Sequence, residues 1–129
     1  SDEGHHAMKT ATKGITYNVG VGAFCMGSLV ATTSSDAKDN VAIGAGSMNY
    51  VTTGSGNVAV GRSALAGGAS NKATGSYNIA LGYRSMEAGS AVLSGSSNVG
   101  IGKVSLYGLE DGTDKVKSTE LSNVPSPKV

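Results

Sequence analysis

Apolar residues alternate over short stretches that recur along the chain. One nine-residue phrase occurs five times: NVGVGAFCM from Asn18, NVAIGAGSM from Asn40, NVAVGRSAL from Asn57, NIALGYRSM from Asn78 and NVGIGKVSL from Asn98. In each copy a large, a small and a large apolar position follow the Asn, and a Gly ends the run. Alternation with a period of two is the pattern of a β-strand. The chain therefore predicts five short, equivalent strands.

The spacing of the phrases indicates a repeat fold. Their starts lie 22, 17, 21 and 20 residues apart, and periods near 20 residues are typical of stacked coils that share one continuous core. A helix is excluded because Gly recurs in every segment. Each Gly in a helix interior lowers helix stability by about 1 kcal/mol relative to Ala. Collagen is excluded because Gly is not at every third position. We predict an all-β repeat solenoid.

Each position of the phrase has an expected role. In NVAVGRSAL, we expect Val58 and Val60 to face the core and Gly61 to form a tight turn. Leu65 should return to the same core on a second short strand. The leading Asn residues are expected to form a column that hydrogen-bonds the backbone. The small middle residues are expected to lie on the opposite face, where another group can approach closely.

Composition excludes several classes of function. The 129 residues include 20 Gly, no Trp and 5% aromatic residues, and the net charge is +1. So small a charge gives no basic patch for nucleic acid, and no apolar run is long enough to insert into a membrane. The bulky residues that usually fill a globular core are also scarce.

The sequence offers poor material for catalysis or for a cofactor. Cys25 takes the slot that Ser or Ala fills in the other copies, so a structural role is expected. GIGKVS around Lys103 lacks the spacing of a phosphate loop. Glu87 is the lone carboxylate of the repeats between Asp39 and Glu110, and SDEGHHAM has the paired His typical of a tag remnant rather than of a zinc site. We predict no enzyme, no cofactor and no metal.

Side chains that vary within the fixed phrase are expected to be exposed. Aromatic and Arg groups can stack on a sugar or donate hydrogen bonds to it. Ordinary solvated surface is the alternative interpretation of the same residues. Phe24 is one such variable position, and the candidate recognition residues are Arg62, Tyr83, Arg84, Lys103 and Tyr107.

The phrases NVAIGAGS and NIALGYRSM resemble a known repeat. They are similar to the head repeats of trimeric autotransporter adhesins, the YadA-like head, and to related repeats of bacteriophage tail fibres and tailspikes, over about residues 18–109. The resemblance implies a left-handed parallel β-roll in which three chains associate around one axis. It also implies that the chains pack on a face of small residues and that a monomer is only marginally stable; that face would be lined by Ala42, Ala59, Ala80 and Gly100. Spacing near 20 residues and a Met or Leu at the end of the phrase favour the phage proteins over adhesin heads, which have a shorter period.

This resemblance implies a non-catalytic structural and host-recognition segment on the virion tail. Its expected partners are two further copies of the chain and a host cell-surface glycan or protein receptor. One alternative is the head of a bacterial trimeric adhesin on the outer surface of the cell. Another is the trimerisation or carbohydrate-binding end of a capsule-degrading tailspike.

The ends differ from the repeats. Residues 1–17 are expected to form an extension and a capping segment before the roll at 18–109. Residues 110–129 are a polar tail or connector that contains both prolines. One short strand is expected in this tail, within 114–121.

Overall fold

The chain forms an all-β parallel solenoid. The computed structural model describes residues 17–27, 37–89 and 92–108, together with the backbone of 116–118. These residues contain no helix, and their six strands form one parallel sheet in chain order. The expected extension 1–17, apart from Tyr17, lies outside the described residues, as does most of the tail. The strands are β1 (Val19–Val21), β2 (Val41–Ile43), β3 (Val58–Val60), β4 (Ile79–Leu81), β5 (Val99–Ile101) and β6 (Val116–Ser118).

Equivalent positions of successive phrases pair with each other. Ala42 pairs with Ala59, and Ala59 pairs with Ala80. We call the segment that begins at each leading Asn a coil and number the five coils in chain order, the fifth beginning at Asn98. Coils of unequal length keep this register because loops absorb the difference. In coil 3, for example, a turn closes where the N–H of Gly68 donates to the carbonyl of Asn71 at 2.8 Å.

The leading Asn residues form the predicted column. The Oδ1 of Asn40 accepts the backbone N–H of Asn57 at 2.9 Å, and the Oδ1 of Asn57 accepts that of Asn78 at 2.8 Å. In the first four coils the Nδ2 also donates to a carbonyl late in the same coil, as from Asn57 to Gly75 at 3.0 Å. Because these amides are buried, each bond satisfies a group that would otherwise be costly to desolvate.

The glycine after each strand lets successive coils stack closely. Gly61 has a φ of +129°, and a Cβ built on it would lie 2.6 Å from the carbonyl oxygen of Gly82. No L side chain fits that space or adopts that φ without strain. The predicted turn role of this position is confirmed.

The core lies between the strands and the closing residues of the phrases. Leu65 is 1% exposed, and Met48 and Met86 are fully buried, as predicted for the closing position. Val51 in coil 2 and Leu93 in coil 4, which lie after the phrase, are also fully buried. The closing residues therefore supply most of the bulk inside the solenoid.

The expected orientation of the strands is wrong. Ala59 is fully buried, whereas Val60 is 37% exposed and Val58 is half-buried. The small residues therefore face the inside, and the aliphatic residues face outward. The same correction applies to the residues expected to line an interchain face, because all four are buried: Ala42, Ala59, Ala80 and Gly100.

The expected second strand of each coil is also absent from the described residues. After the glycine turn, the chain runs through further turns, and only Val51 and Ala73 form an isolated parallel bridge. Beyond the repeats, a short strand lies where one was expected in the tail. There β6 pairs with β5 and places Lys117 in register with Gly100. The sheet thus continues past the last phrase.

Candidate functional site

The outward-facing side of the strands is a continuous apolar surface. Its side chains come from five strands that neighbour one another in the sheet, so they form two adjacent columns. Val19, Ile43 and Ile101 are all more than 40% exposed. We call this surface the outer strip, defined by Val19, Val21, Val41, Ile43, Val58, Val60, Ile79, Leu81, Val99 and Ile101.

The interior leaves no room for these aliphatic side chains. A Cβ built on Gly100 would lie 2.9 Å from the Cγ of Met86 and 2.9 Å from the Oγ of Ser85. The Oγ of Ser85 also donates to the carbonyl of Gly100 at 2.9 Å. In coil 2, the Oγ of Ser47 donates to the carbonyl of Ala59 at 3.0 Å. The space beneath the strands is therefore filled from the turns, and only Ala or Gly fits on the inner side.

Three candidate recognition residues stack in one column beside the glycine turns. Arg62, Tyr83 and Lys103 each follow the turn glycine of their coil. Backbone bonds hold these turns together, since the N–H of Arg84 donates to the carbonyl of Arg62 at 2.9 Å and that of Val104 to Tyr83 at 2.8 Å. All three column side chains are exposed. With coils about 4.8 Å apart, the column spans about 10 Å.

The other two candidates meet each other through Glu87. The Nε and Nη2 of Arg84 donate to the two carboxylate oxygens of Glu87, the latter at 3.2 Å. The Arg84 guanidinium carbon also lies 5.1 Å from the centroid of the Tyr107 ring, and Nη2 is 3.4 Å from the Tyr107 hydroxyl. The hydrogen bonds and charge of Glu87 raise the pKa of Arg84, so its cation is permanent.

We call this group of six residues the Arg84 cluster. The backbone hydrogen bond from Arg84 to Arg62 places the Arg84–Tyr107 pair on turns that neighbour the column of Arg62, Tyr83 and Lys103. Glu87, a lone carboxylate in the sequence, joins that pair. A spacing of three residues between Arg84 and Glu87, with opposite charges, is a signal of such a pair. The cluster comprises Arg62, Tyr83, Arg84, Glu87, Lys103 and Tyr107.

Cys25 and Glu87, the two described residues weighed for catalysis, are buried or paired. Cys25 is fully buried at the phrase position that Ser or Ala occupies in the other copies, and burial raises the pKa of its thiol. A neutral, buried thiol is a poor nucleophile. Glu87 is held by Arg84, so it is not a free general base. His5 and His6 lie outside the described residues.

Metal and membrane sites were sought in the described part of the chain. It holds no group of three or more His, Cys, Asp or Glu side chains placed to bind a metal ion. It also holds no helix with the length and hydropathy needed to cross a bilayer. The two remaining candidate binding surfaces of the described residues are the outer strip and the Arg84 cluster.

Comparison with protein-family models, with curated proteins and with solved structures gave no match. Function is thus argued from the repeat phrase and from the two surfaces.

Proposed function

We propose that the chain is a non-catalytic structural and host-attachment segment of a bacteriophage tail fibre or tailspike. In this proposal three copies, each a left-handed β-roll of the YadA-like kind, associate side by side. The recurring phrase supports the assignment, together with the parallel solenoid that it forms and the buried Met or Leu at its end.

The outer strip is the observation that carries this proposal. Each chain fills its own interior, yet it leaves two columns of Val, Ile and Leu in contact with water. Continuous apolar patches of this kind are rare on monomers and mark interaction surfaces. Covering each 100 Å² of it would contribute about 2.5 kcal/mol to association, before the cost of lost freedom.

The geometry of the strip suits copies of the same chain. All strands run parallel, and the same apolar positions recur at every coil. Rotation about an axis along the stack therefore lets each coil meet the equivalent coil of its neighbours. A closed ring of three chains gives every strip the same surroundings. The absence of strong charge on the strip is consistent with such packing.

Sedimentation equilibrium tests the assembly. The expected mass is three times the 12.7 kDa of one chain. Val60→Lys places a charge within the strip and should shift the mass to that of a monomer, with the circular dichroism of the solenoid retained. Val92→Lys is the matched control because Val92 is 46% exposed but lies outside the strip. A folded wild-type chain that sediments as a monomer would rule out the trimer.

Cell binding tests the attachment role. Fluorescently labelled trimer should bind intact bacteria of the host range, and pretreatment of the cells with periodate or protease should show whether the receptor is a glycan or a protein. Incubation with capsular polysaccharide should leave its length unchanged. Depolymerisation by the purified chain would contradict a non-catalytic role, and failure to bind any cell type would leave only the structural part of the proposal.

A further inference from the structure

We propose that the Arg84 cluster binds a sugar that carries a carboxylate, such as a uronic or sialic acid residue of an oligosaccharide. This inference rests on the proposed attachment function and specifies the class of ligand.

Arg84 is held ready to bind an anion. Glu87 takes one N–H from each of Nε and Nη2, and Tyr107 lies under the guanidinium plane. The two N–H groups of Nη1 are outside these contacts, and the side chain is 36% exposed. A guanidinium fixed by such contacts loses little conformational freedom when it donates to a carboxylate.

The charge of the cluster favours an acidic ligand over a neutral one. Three cations, Arg62, Arg84 and Lys103, are accompanied by one carboxylate, Glu87, so the group has a net positive charge. That imbalance is local, since the whole chain carries only +1. A carboxylate near the column gains from charge-assisted hydrogen bonds, which are about twice as strong as neutral ones.

The size and aromatic content of the cluster favour a sugar over a small anion. Tyr83 and Tyr107 are 43% and 45% exposed. Arg84 lies over the ring of Tyr107, so Tyr83 offers the open ring surface on which a pyranose can stack. Tyr83 lies between the two cations of its column. The column of about 10 Å accommodates a short oligosaccharide, with stacking on Tyr83 and a charged group beside Arg84.

Titration of the wild-type trimer with defined oligosaccharides tests the proposal. The probes are tetragalacturonate and 3′-sialyllactose, followed by calorimetry or by nuclear magnetic resonance of the Arg and Tyr signals. Their neutral partners are methyl-esterified tetragalacturonate and lactose. At least one acid should bind about tenfold more tightly than its neutral partner. Equal binding of acid and neutral sugar, or no binding of either acid, overturns the proposal.

Variants separate a specific site from general attraction between charges. Arg84→Gln should weaken binding about tenfold, and Arg84→Lys should restore only part of it because Lys lacks the planar fork. Lys72→Gln is the matched control: it removes the same charge from an exposed residue outside the cluster, and we expect no change. A loss as large in Lys72→Gln as in Arg84→Gln would show that net charge alone attracts the sugar.

Glu87→Gln gives the sharpest test. It raises the net positive charge, so simple charge attraction predicts tighter binding. If Glu87 positions Arg84, the variant should instead bind about threefold more weakly, because Arg84 loses its charged partner. Tighter binding in Glu87→Gln would refute positioning by Glu87, and a single-stranded DNA that outcompetes both acids would refute recognition of a sugar.

The outcomes also separate this inference from the proposed function. A trimer that binds host cells but neither acid would overturn the inference and leave attachment intact. A trimer that binds an acidic sugar but no host cell would support the cluster as a sugar site and contradict attachment. Sedimentation is run on every variant, so loss of assembly is not mistaken for loss of the site.

Discussion

The side chains on the inner and outer sides of the same strands differ in size more than in polarity. On the inner side, Ala42, Ala59 and Ala80 are fully buried. On the outer side, the flanking Val, Ile and Leu residues remain in contact with water. In an ordinary sheet the larger apolar residues cover the core, because they bury more surface. Here the available width decides the orientation instead.

The closing residues of the phrase and the Asn column fill the interior of this thin solenoid. The turns insert Met or Leu beneath the strands. The Asn column lies at the start of each coil, directly before the strand. Close packing then leaves room for a single Cβ on the inner side. The aliphatic side is thus available for contacts between chains, which the sequence alone assigned to the small residues.

The largest effect is expected from removing a buried amide on the inner side. Asn57→Ala deletes the donor to Gly75 and Asn40 and the acceptor of the Asn78 N–H. It should lower the free energy of unfolding by about 4 kcal/mol, because buried partners lose their bonds. Urea unfolding at fixed chain concentration measures this. Thr74→Ala, at an exposed loop residue, should stay within about 0.5 kcal/mol.

Enlarging one side of a strand should cost far more than enlarging the other. Ala59→Leu inserts three carbons where the interior is filled, and it should destabilise the fold by about 3 kcal/mol. Val60→Leu, one position along on the outer side, should change stability by less than about 1 kcal/mol. The pair is compared by thermal and urea unfolding. Equal losses would mean that both sides are packed alike.

A turn outside the core offers a stabilising change. Val104 has a φ of 58°, a region that β-branched residues rarely adopt, and its side chain is 38% exposed. Val104→Asn should raise stability by about 1 kcal/mol, since Asn tolerates this conformation. Ser63→Asn, at the same position of coil 3, should give a smaller gain. A clear loss in Val104→Asn would place Val104 in an essential apolar contact.

The smallest effect concerns the pH dependence of Cys25. Burial raises the pKa of the thiol in the folded chain, so below about pH 8.5 it is neutral in both states. At higher pH the unfolded thiol ionises first, and stability falls as pH rises. Wild type should lose less than about 1 kcal/mol at pH 9 relative to Cys25→Ser. A difference that grows on acidification would contradict this account.

Much of the fold could be predicted from the phrase itself. Its five copies indicated the strands, the turn at Gly61 and the buried closing position at Leu65, because each depends on local chain geometry and on the period. The orientation of Val58 and Ala59 could not be predicted. Alternation separates two sides of a strand but does not say which is inside. That depends on how far the turns reach beneath the sheet, which is a property of the stacked coils.

The candidate site was predictable in part. Arg62, Tyr83 and Lys103 vary within the phrase and are exposed, as the pattern indicated, whereas Arg84 is half-buried. The role of Glu87 was missed because it lies after the phrase. The contact between Arg84 and Tyr107 follows from the parallel register of β4 and β5, which stacks equivalent turn positions of coils 4 and 5, and the phrase alone does not show which side chains of stacked turns meet.

Solvent relaxation of methyl signals tests the central claim that small residues face inward and large residues form the surface between chains. A soluble gadolinium chelate broadens methyl resonances that water can reach, without altering the side chains. The account predicts that the Ala59 methyl stays sharp in the wild-type trimer and in monomeric Val60→Lys. The Val58 methyls should be broadened in the monomer and protected in the trimer. Broadening of Ala59 to the same extent as Val58 in the folded monomer would contradict the account.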